Sequence, residues 1–332
     1  MKRCLLLSVI IFFSSFSSLF ALENKIANYF SFSINPRFEI ASGLINEYVF
    51  DPACLNTDNK LSQLDWNIKP LAVFNLKSDF DIMKYGALSF SLSLAVPQRS
   101  DYMQDYDWEN SIGDQLGFPE WLNDNPKENT SFSEHVNHID KYINYQVSLG
   151  GNIYLPLEIK ITPYAAYYYE FIKFSSSQGY GLYKSYNYEV YPFIGKVISY
   201  EQQINTFLFG INLKADTIPY TTININFNIS PNMAKLNAID YHITRGLAFN
   251  DRFNNVTLIN SDFTALYRFP KNHRAGFSAR LQYIPLVKGD TYQGAINTNG
   301  ELTSNNWTSA GQEGGGTERF IWFFGFNYSF SL

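Results

Sequence analysis

The sequence predicts an all-β fold: a ten-stranded antiparallel transmembrane β-barrel of the outer-membrane type, extending beyond the membrane on its extracellular side. Three observations carry this reading. Apolar and polar residues alternate one by one over long stretches. Past the N-terminus no segment approaches the 18 or so consecutive apolar residues of a membrane helix. The chain then runs to its end as an aromatic strand. With 29 Phe and 24 Tyr the 332 residues still have a slightly negative mean hydropathy, because each apolar residue is offset by a polar neighbour.

The start of the chain reads as an address. In "MKRCLLLSVIIFFSSFSSLFALENK", Lys2 and Arg3 precede an apolar run from Leu5 to Phe13, and a serine-rich segment leads to Ala21. This is the order of a secretory signal peptide, residues 1–21, followed by a single barrel domain, 22–332. The run is too short for a membrane anchor. Cys4 leaves with the signal and lies too early for a lipidated cysteine. Cys54 is then alone, so no intrachain disulfide forms. Removing Lys2 and Arg3 takes the formal charge from −5 to −7. That mild acidity excludes nucleic acid as the expected partner.

The strands follow from their period. In "ALSFSLSLAV" the even positions Leu88, Phe90, Leu92, Leu94 and Val96 alternate with Ala and Ser; "TININFNIS" sets Ile223, Ile225, Phe227 and Ile229 against Asn and Ser. "AGFSARLQY" does the same with Phe277, Leu281 and Tyr283. A soluble sandwich would bury such a face; a membrane barrel turns it to lipid and keeps the polar face inside. The last strand decides: "RFIWFFGFNYSFSL" places Phe320, Trp322, Phe324, Phe326, Tyr328 and Phe330 on one face, and outer-membrane barrels commonly end in an aromatic strand of this kind. The predicted strands are 28–50, 62–80, 84–108, 138–155, 158–176, 196–215, 219–242, 255–269, 274–290 and 317–332. Their number is even, as antiparallel closure requires. Short turns fall at "DIMK", "LPLE", "ADTIP" and "PKNH". Longer loops fall at 51–61, 109–137, 177–195, 243–254 and 291–316, which belong outside the cell.

Inward parity gathers charge at the long-loop end. Asp105 and Asp107 are odd in a strand whose odd positions face in. Asp240 and His242 are even in a strand whose even positions face in, and Glu47 faces in on the first strand. Pro97 and Pro231 mark register breaks on the way up. Asp65 and Trp66 read as structural, an inward acid and a girdle Trp. The remaining histidines lack an Asp two residues before them. His135 and His138 could suggest a metal pair, but no third ligand supports it, and no metal is expected.

These residues form a pattern. With "NEYVF" at 46–50, "SQLDW" at 62–66, "MQDYDW" at 103–108 and "DYH" at 240–242, the chain resembles the omptin family of outer-membrane proteases. Weaker echoes are "ISYEQQ" at 198–203 and "SEH" at 133–135. The resemblance covers nearly the whole mature chain, and Ser62 to Trp108 fits without a gap. It implies a peptidase without a covalent intermediate, in which His242 is the general base and Asp240 orients its ring. Asp105 would hold and polarise the attacking water with His242, and Asp107 would support Asp105 or the tetrahedral intermediate. An imidazole titrates near neutral pH, a carboxylate partner fixes its tautomer, and of two adjacent carboxylates one tends to hold a proton. The resemblance also implies a specificity pocket with an acid at Glu47 and a second acid where Ala238 stands. This leaves Glu47 as the only retained specificity acid and predicts looser or altered specificity. Lipopolysaccharide is the implied activator, gripped by basic residues of the outer wall, with Lys173 and Arg252 as candidates. No other cofactor is expected, and the protein is expected to act as a monomer on polypeptides. The rival reading is a catalytically inactive barrel, an adhesin or a small channel. Retention of all four catalytic-type residues and a side-chain-filled lumen speak against it.

Overall fold

The computed structural model describes residues 30–50, 60–108, 131–183, 187–270, 272–297, 299–304 and 306–331. The signal peptide and Cys54 lie outside the described residues. Twelve strand segments follow in chain order: β1 (Phe30–Phe50), β2 (Lys60–Ile82), β3 (Gly86–Ala95), β4 (Gln98–Asp107), β5 (Ser131–Gly151), β6 (Ile153–Leu155), β7 (Ile159–Tyr183), β8 (Val190–Ala215), β9 (Thr221–His242), β10 (Leu247–Arg268), β11 (His273–Ala295) and β12 (Thr308–Ser331). β3 and β4 are two halves of one wall strand, both lying between β2 and β5, and β6 prolongs β5 along β7. The walls therefore number ten. All neighbours are antiparallel, and β1 pairs with β12 from Ser33↔Ser331 to Val49↔Gly315, closing the ring.

The predicted strands are all present, and several run further. β5 begins at Ser131, β10 at Leu247 and β12 at Thr308, while β7 continues to Tyr183. Much of what reads as loop at 177–195, 243–254 and 291–316 is ladder. The reason is physical: above the membrane the outer face meets water, so the apolar alternation that marks a strand is no longer needed there. With β8 at 26 residues and β1 at 21, the walls far exceed the ~9–11 residues that cross a bilayer. The tight turns lie at the opposite end. Met83–Lys84 and Leu157–Glu158 both take positive φ (49° and 66°, 65° and 56°), as two-residue hairpin turns require.

Outward, an apolar belt is exposed, including Phe38, Phe74, Phe90, Phe209, Phe227, Phe277, Phe324 and Phe326. Inward, the barrel is polar and paired. Arg37 binds Asp262, Arg319 binds Glu170, and Arg280 Nη2 donates to Glu39 Oε2 at 2.8 Å. Arg319 and Glu170 are each 1% exposed, so the lumen is filled at this level rather than open.

Register shifts tune which residues face in. On β2, Leu64, Trp66 and Ile68 are buried at even positions, but Leu71 and Val73 at odd ones; the change falls at Lys69–Pro70. On the neighbouring wall strand Ser93 points in at the end of β3, then Ser100, then Met103. The chain thus changes parity once across Val96–Pro97 and again at Asp101, whose φ is 54° beside the Arg99/Tyr102 shift. The two shifts cancel, and Asp105 and Asp107 end up facing in, as simple counting predicts. Pro231 sits in a different irregularity: six residues of β9 span four of β8 between Asn205↔Lys235 and Phe209↔Ile229. An insertion of two preserves parity, so Asp240 still faces in.

Candidate active site

The site lies at the long-loop end, beyond the apolar belt. Along β9, seven residues separate the exposed Met233 from Asp240, roughly 23 Å at ~3.3 Å per residue. β9 is hydrogen-bonded on both sides up to its last residue, with Ile198 of β8 and Leu247 of β10 flanking His242. The chain then turns through a single 3-10 turn, Ile243–Arg245, closed by Gly246 at φ 69°. His242 is thus held at the end of a rigid ladder, where it lines a cavity. Its Nε2 lies 2.5 Å from Asp240 Oδ2, with the two side chains 14% and 3% exposed. Phe249 of β10 packs edge-on against the ring at 5.5 Å. The other oxygen, Asp240 Oδ1, is buried without a hydrogen-bond partner among the described residues.

On the facing wall Asp105 and Asp107 stand two apart on β4. Ser62 Oγ donates to Asp105 Oδ1 at 3.3 Å, and Ser131 Oγ donates to Asp107 Oδ2 at 2.8 Å. Burial and the neighbouring Asp107 charge push the Asp105 carboxyl well above its ordinary range, Asp240 adds to this, and Arg245 opposes it. Asp105 and His242 line one cavity of about 240 Å³. The structure therefore brings together the four residues that the sequence singles out, as two pairs on opposite walls.

Glu47 is the fifth. It is 3% exposed, and its Oε2 accepts the indole N–H of Trp66 at 3.2 Å. Trp66 is consequently no girdle residue. It faces inward, fully buried, stacked on Tyr200 at 5.3 Å with 10° between the rings. Asp65 is its opposite: it faces outward, where Asn46 Nδ2 and Gln63 Nε2 donate to it at 2.5 and 2.7 Å. The sequence reading of an inward Asp65 and an outward Trp66 reverses the face of this segment, because the Lys69–Pro70 shift flips parity below it.

Sequence reasoning missed Asp251. Ala238, 1% exposed, stands in register with Asp251 on β10 and Gln202 on β8. Asp251 is 5% exposed, accepts from Thr291 Oγ1 at 2.6 Å, and lies against β12 where Gly315 has no side chain. A Cβ on Gly315 would sit 2.4 Å from the Asp251 Cγ. The charges of Asp240 and Asp251 bear on Glu47, whose carboxyl is pushed well above its ordinary range, first by burial and then by these two acids. Asp251 itself is pushed up to about 7, by burial and then by Asp240, against the Thr291 hydrogen bond. Glu47 is thus not the only acid of this niche. No motif marks Asp251; only the register between β9 and β10 reveals it.

The outer-wall candidates lie on the lipid-facing or solvent side. Lys173 Nζ is 3.0 Å from Glu201 Oε2 and 5.4 Å from the centre of the Tyr241 ring. Arg252 stacks over Tyr292 at 4.3 Å. They occupy β7 and β10, so they do not form one patch. His135 and His138 are three apart on a strand and hence on opposite faces: His135 is buried in the lumen wall, its ring nitrogens against Gln178 O and Ser133 Oγ, while His138 is only half-buried on the outside.

The comparisons with known proteins agree with this fold. The omptin family's sequence profile matches residues 29–330. The chain belongs to the omptin family. The plasminogen activator of Yersinia pestis is 31% identical over 150 residues, 43% of this chain and 42% of that protein; the match thus spans less than half of that relative's length. The crystal structure of the outer membrane protease OmpT from Escherichia coli shares the fold, with a TM-score of 0.77 at 16% identity over 91% of this chain and 97% of that one. This omptin is an outer-membrane β-barrel of a protease family.

Proposed function

We propose that this omptin is an endopeptidase whose active site opens at the extracellular mouth of the barrel, and that it hydrolyses peptide bonds with a water activated between two side-chain pairs. The observation that carries this reading is the Asp240–His242 pair, 2.5 Å apart, facing Asp105 across a shared cavity. Asp240 accepts from Nε2–H of His242, which leaves the Nδ1 lone pair to take the proton of the water. Asp240 then steadies the imidazolium. Asp105, whose carboxyl burial and Asp107 push well above its ordinary range, holds the water and, in its protonated form, donates a hydrogen bond as charge develops on the tetrahedral intermediate; Asp107, held by Ser131, supports it. No covalent intermediate is needed.

The niche of Glu47 and Asp251 suits the basic side chain before the scissile bond. Asp251 takes the place of the acid absent at Ala238, from the next strand. A guanidinium or ammonium entering here meets two buried carboxylates, and selectivity for Arg or Lys is the consequence. On the outer wall Lys173 already has Glu201 as its counter-ion, so the lipopolysaccharide contacts we assign to Lys173 and Arg252 are weak ones, and activation by the lipid is modest. The protein acts as a monomer.

The test is cleavage of a diverse peptide pool by the refolded barrel, with and without lipopolysaccharide, beside His242→Ala, read by mass spectrometry. Cleavage after basic residues that falls by about 10³ or more in the variant is expected. A folded wild-type barrel that cuts nothing under either condition would sink the endopeptidase reading in favour of an inert adhesin-like barrel.

A further inference from the structure

The two catalytic pairs divide the rim of the barrel into two unlike arcs. Going round the ring from β9 through β10, β11, β12 and β1 to β2, the lumen presents Asp251 and Glu47. Going the other way, through β8, β7 and β5 to β4, it presents the 240 Å³ cavity, walled by Met103, Tyr183, Tyr191, Phe193, Val197 and Ile198. The rings form a continuous wall: Phe193 packs edge-on against Tyr191 at 5.2 Å and Tyr183 at 6.4 Å. His135 closes the wall below, 4.9 Å from Phe193. Burial pushes its imidazole down from the ordinary range, so the cavity carries no cation there at neutral pH. The rest of the lining is polar: Ser133 and Thr244 are neutral, and among the described lining residues the formal charges are those of the catalytic groups Asp105 and His242, and of Arg245 at the rim, whose charge already acts on Asp105.

We propose that this cavity receives the side chain that follows the scissile bond and selects aromatic and large branched apolar residues. The inference rests on the endopeptidase reading, and it fixes the second half of the cleavage motif: a basic residue, then an apolar one. Three features point to this occupant. The cavity shares Asp105 and His242 with the site, so a side chain within it is adjacent to the reacting bond. Its volume exceeds the ~150 Å³ that holds a benzene ring in an apolar protein cavity. An ammonium placed there would lie beside the Arg245 guanidinium and the imidazolium that forms at His242, which repel it, and a carboxylate would give up its hydration against the negative faces of the rings.

The experiment uses peptides with Arg before the bond and Phe, Leu, Ala, Lys or Asp after it, offered to the full refolded barrel. The Phe and Leu peptides are expected to show kcat/KM at least about tenfold above the Ala peptide. Val197→Trp, which fills the cavity, should bring the Phe-to-Ala ratio toward one. Binding of the same fluorescently labelled peptides to His242→Ala, read by anisotropy, keeps the two readings apart. If that barrel binds Phe above Ala while the wild type cuts nothing, the pocket stands and the hydrolytic reading falls. Ala, Lys or Asp peptides cut and bound as well as Phe would overturn the pocket; a preference for Asp would assign the rim to Arg245 instead.

Discussion

Asp251→Asn tests the acidic niche through stability and pH. The Asp251 carboxyl lies at about 7 in the folded barrel, against an ordinary value of 3.8. A raised carboxyl binds a proton in the folded state that the unfolded chain has already released. Between pH ~4 and ~7 the folded state therefore holds more protons, and stability falls as pH rises. At ~1.4 kcal/mol per unit, a difference of about three units makes roughly 4 kcal/mol. Below pH 4 the penalty is absent; above pH 7.5 it is complete. Asn keeps an oxygen to accept from Thr291 and has no charge to bury. The variant should match the wild type at pH 4 and exceed it by roughly 4 kcal/mol at pH 8, with the gain growing between. Guanidinium unfolding of the barrel in phospholipid micelles, followed by tryptophan fluorescence at a series of pH values, measures this. A wild-type-to-variant difference that stays flat within about 1 kcal/mol across that range would refute the buried, charge-crowded Asp251 described above. The same substitution should weaken Arg-containing peptides by about 10²-fold in KM, the loss expected when one acceptor of a buried cation is neutralised.

Substitutions at two further places probe the niche and the lumen below it. Gly315→Ala puts a Cβ where the Asp251 carboxylate lies, so it should reduce Arg selectivity as Asp251→Asn does while raising KM more than it lowers kcat, read in the peptide assay. Glu170→Ala strands Arg319, 1% exposed, and should destabilise the barrel by about 3–5 kcal/mol in guanidinium unfolding; Glu170→Leu with Arg319→Met, which removes both charges, should recover most of that loss.

Much of this molecule is legible in its sequence, for a reason visible strand by strand. "TININFNIS" can only sit with Ile225 and Phe227 in lipid and Asn226 and Asn228 in the lumen, and its neighbours obey the same rule. The strand ends are less legible, since at Tyr183 or Leu247 neither face meets lipid and the pattern carries no instruction. Parity also transmits errors. Asp105 is placed correctly only because the shifts at Pro97 and Asp101 cancel, whereas the single shift at Lys69–Pro70 inverts Asp65 and Trp66. Asp251 marks a different limit: it is defined by its register partner Ala238, and a pairing between strands is written in no local motif.

The distribution of counter-ions says what the mouth is for. Lower in the lumen the acids have basic partners: Asp262 has Arg37, Glu39 has Arg280, Glu170 has Arg319, and Asp81 has Lys160 at 3.0 Å. At the mouth Glu47, Asp105, Asp240 and Asp251 have no salt bridge to a lysine or arginine among the described residues, although Glu47, Asp240 and Asp251 are each at most 5% exposed. Such crowding costs stability, as the raised Glu47, Asp105 and Asp251 carboxyls express. A barrel that needed only to fold would be more stable with a lysine at Ala238 or Thr317, for each faces this cluster across one rung. Leaving the positive charge to be supplied from outside turns that cost into affinity for a cationic side chain. It also couples substrate entry to the ionisation of the carboxylates beside the catalytic pairs, so binding of basic peptides should strengthen as pH rises toward 7, in the upper part of the window in which the empty barrel loses stability.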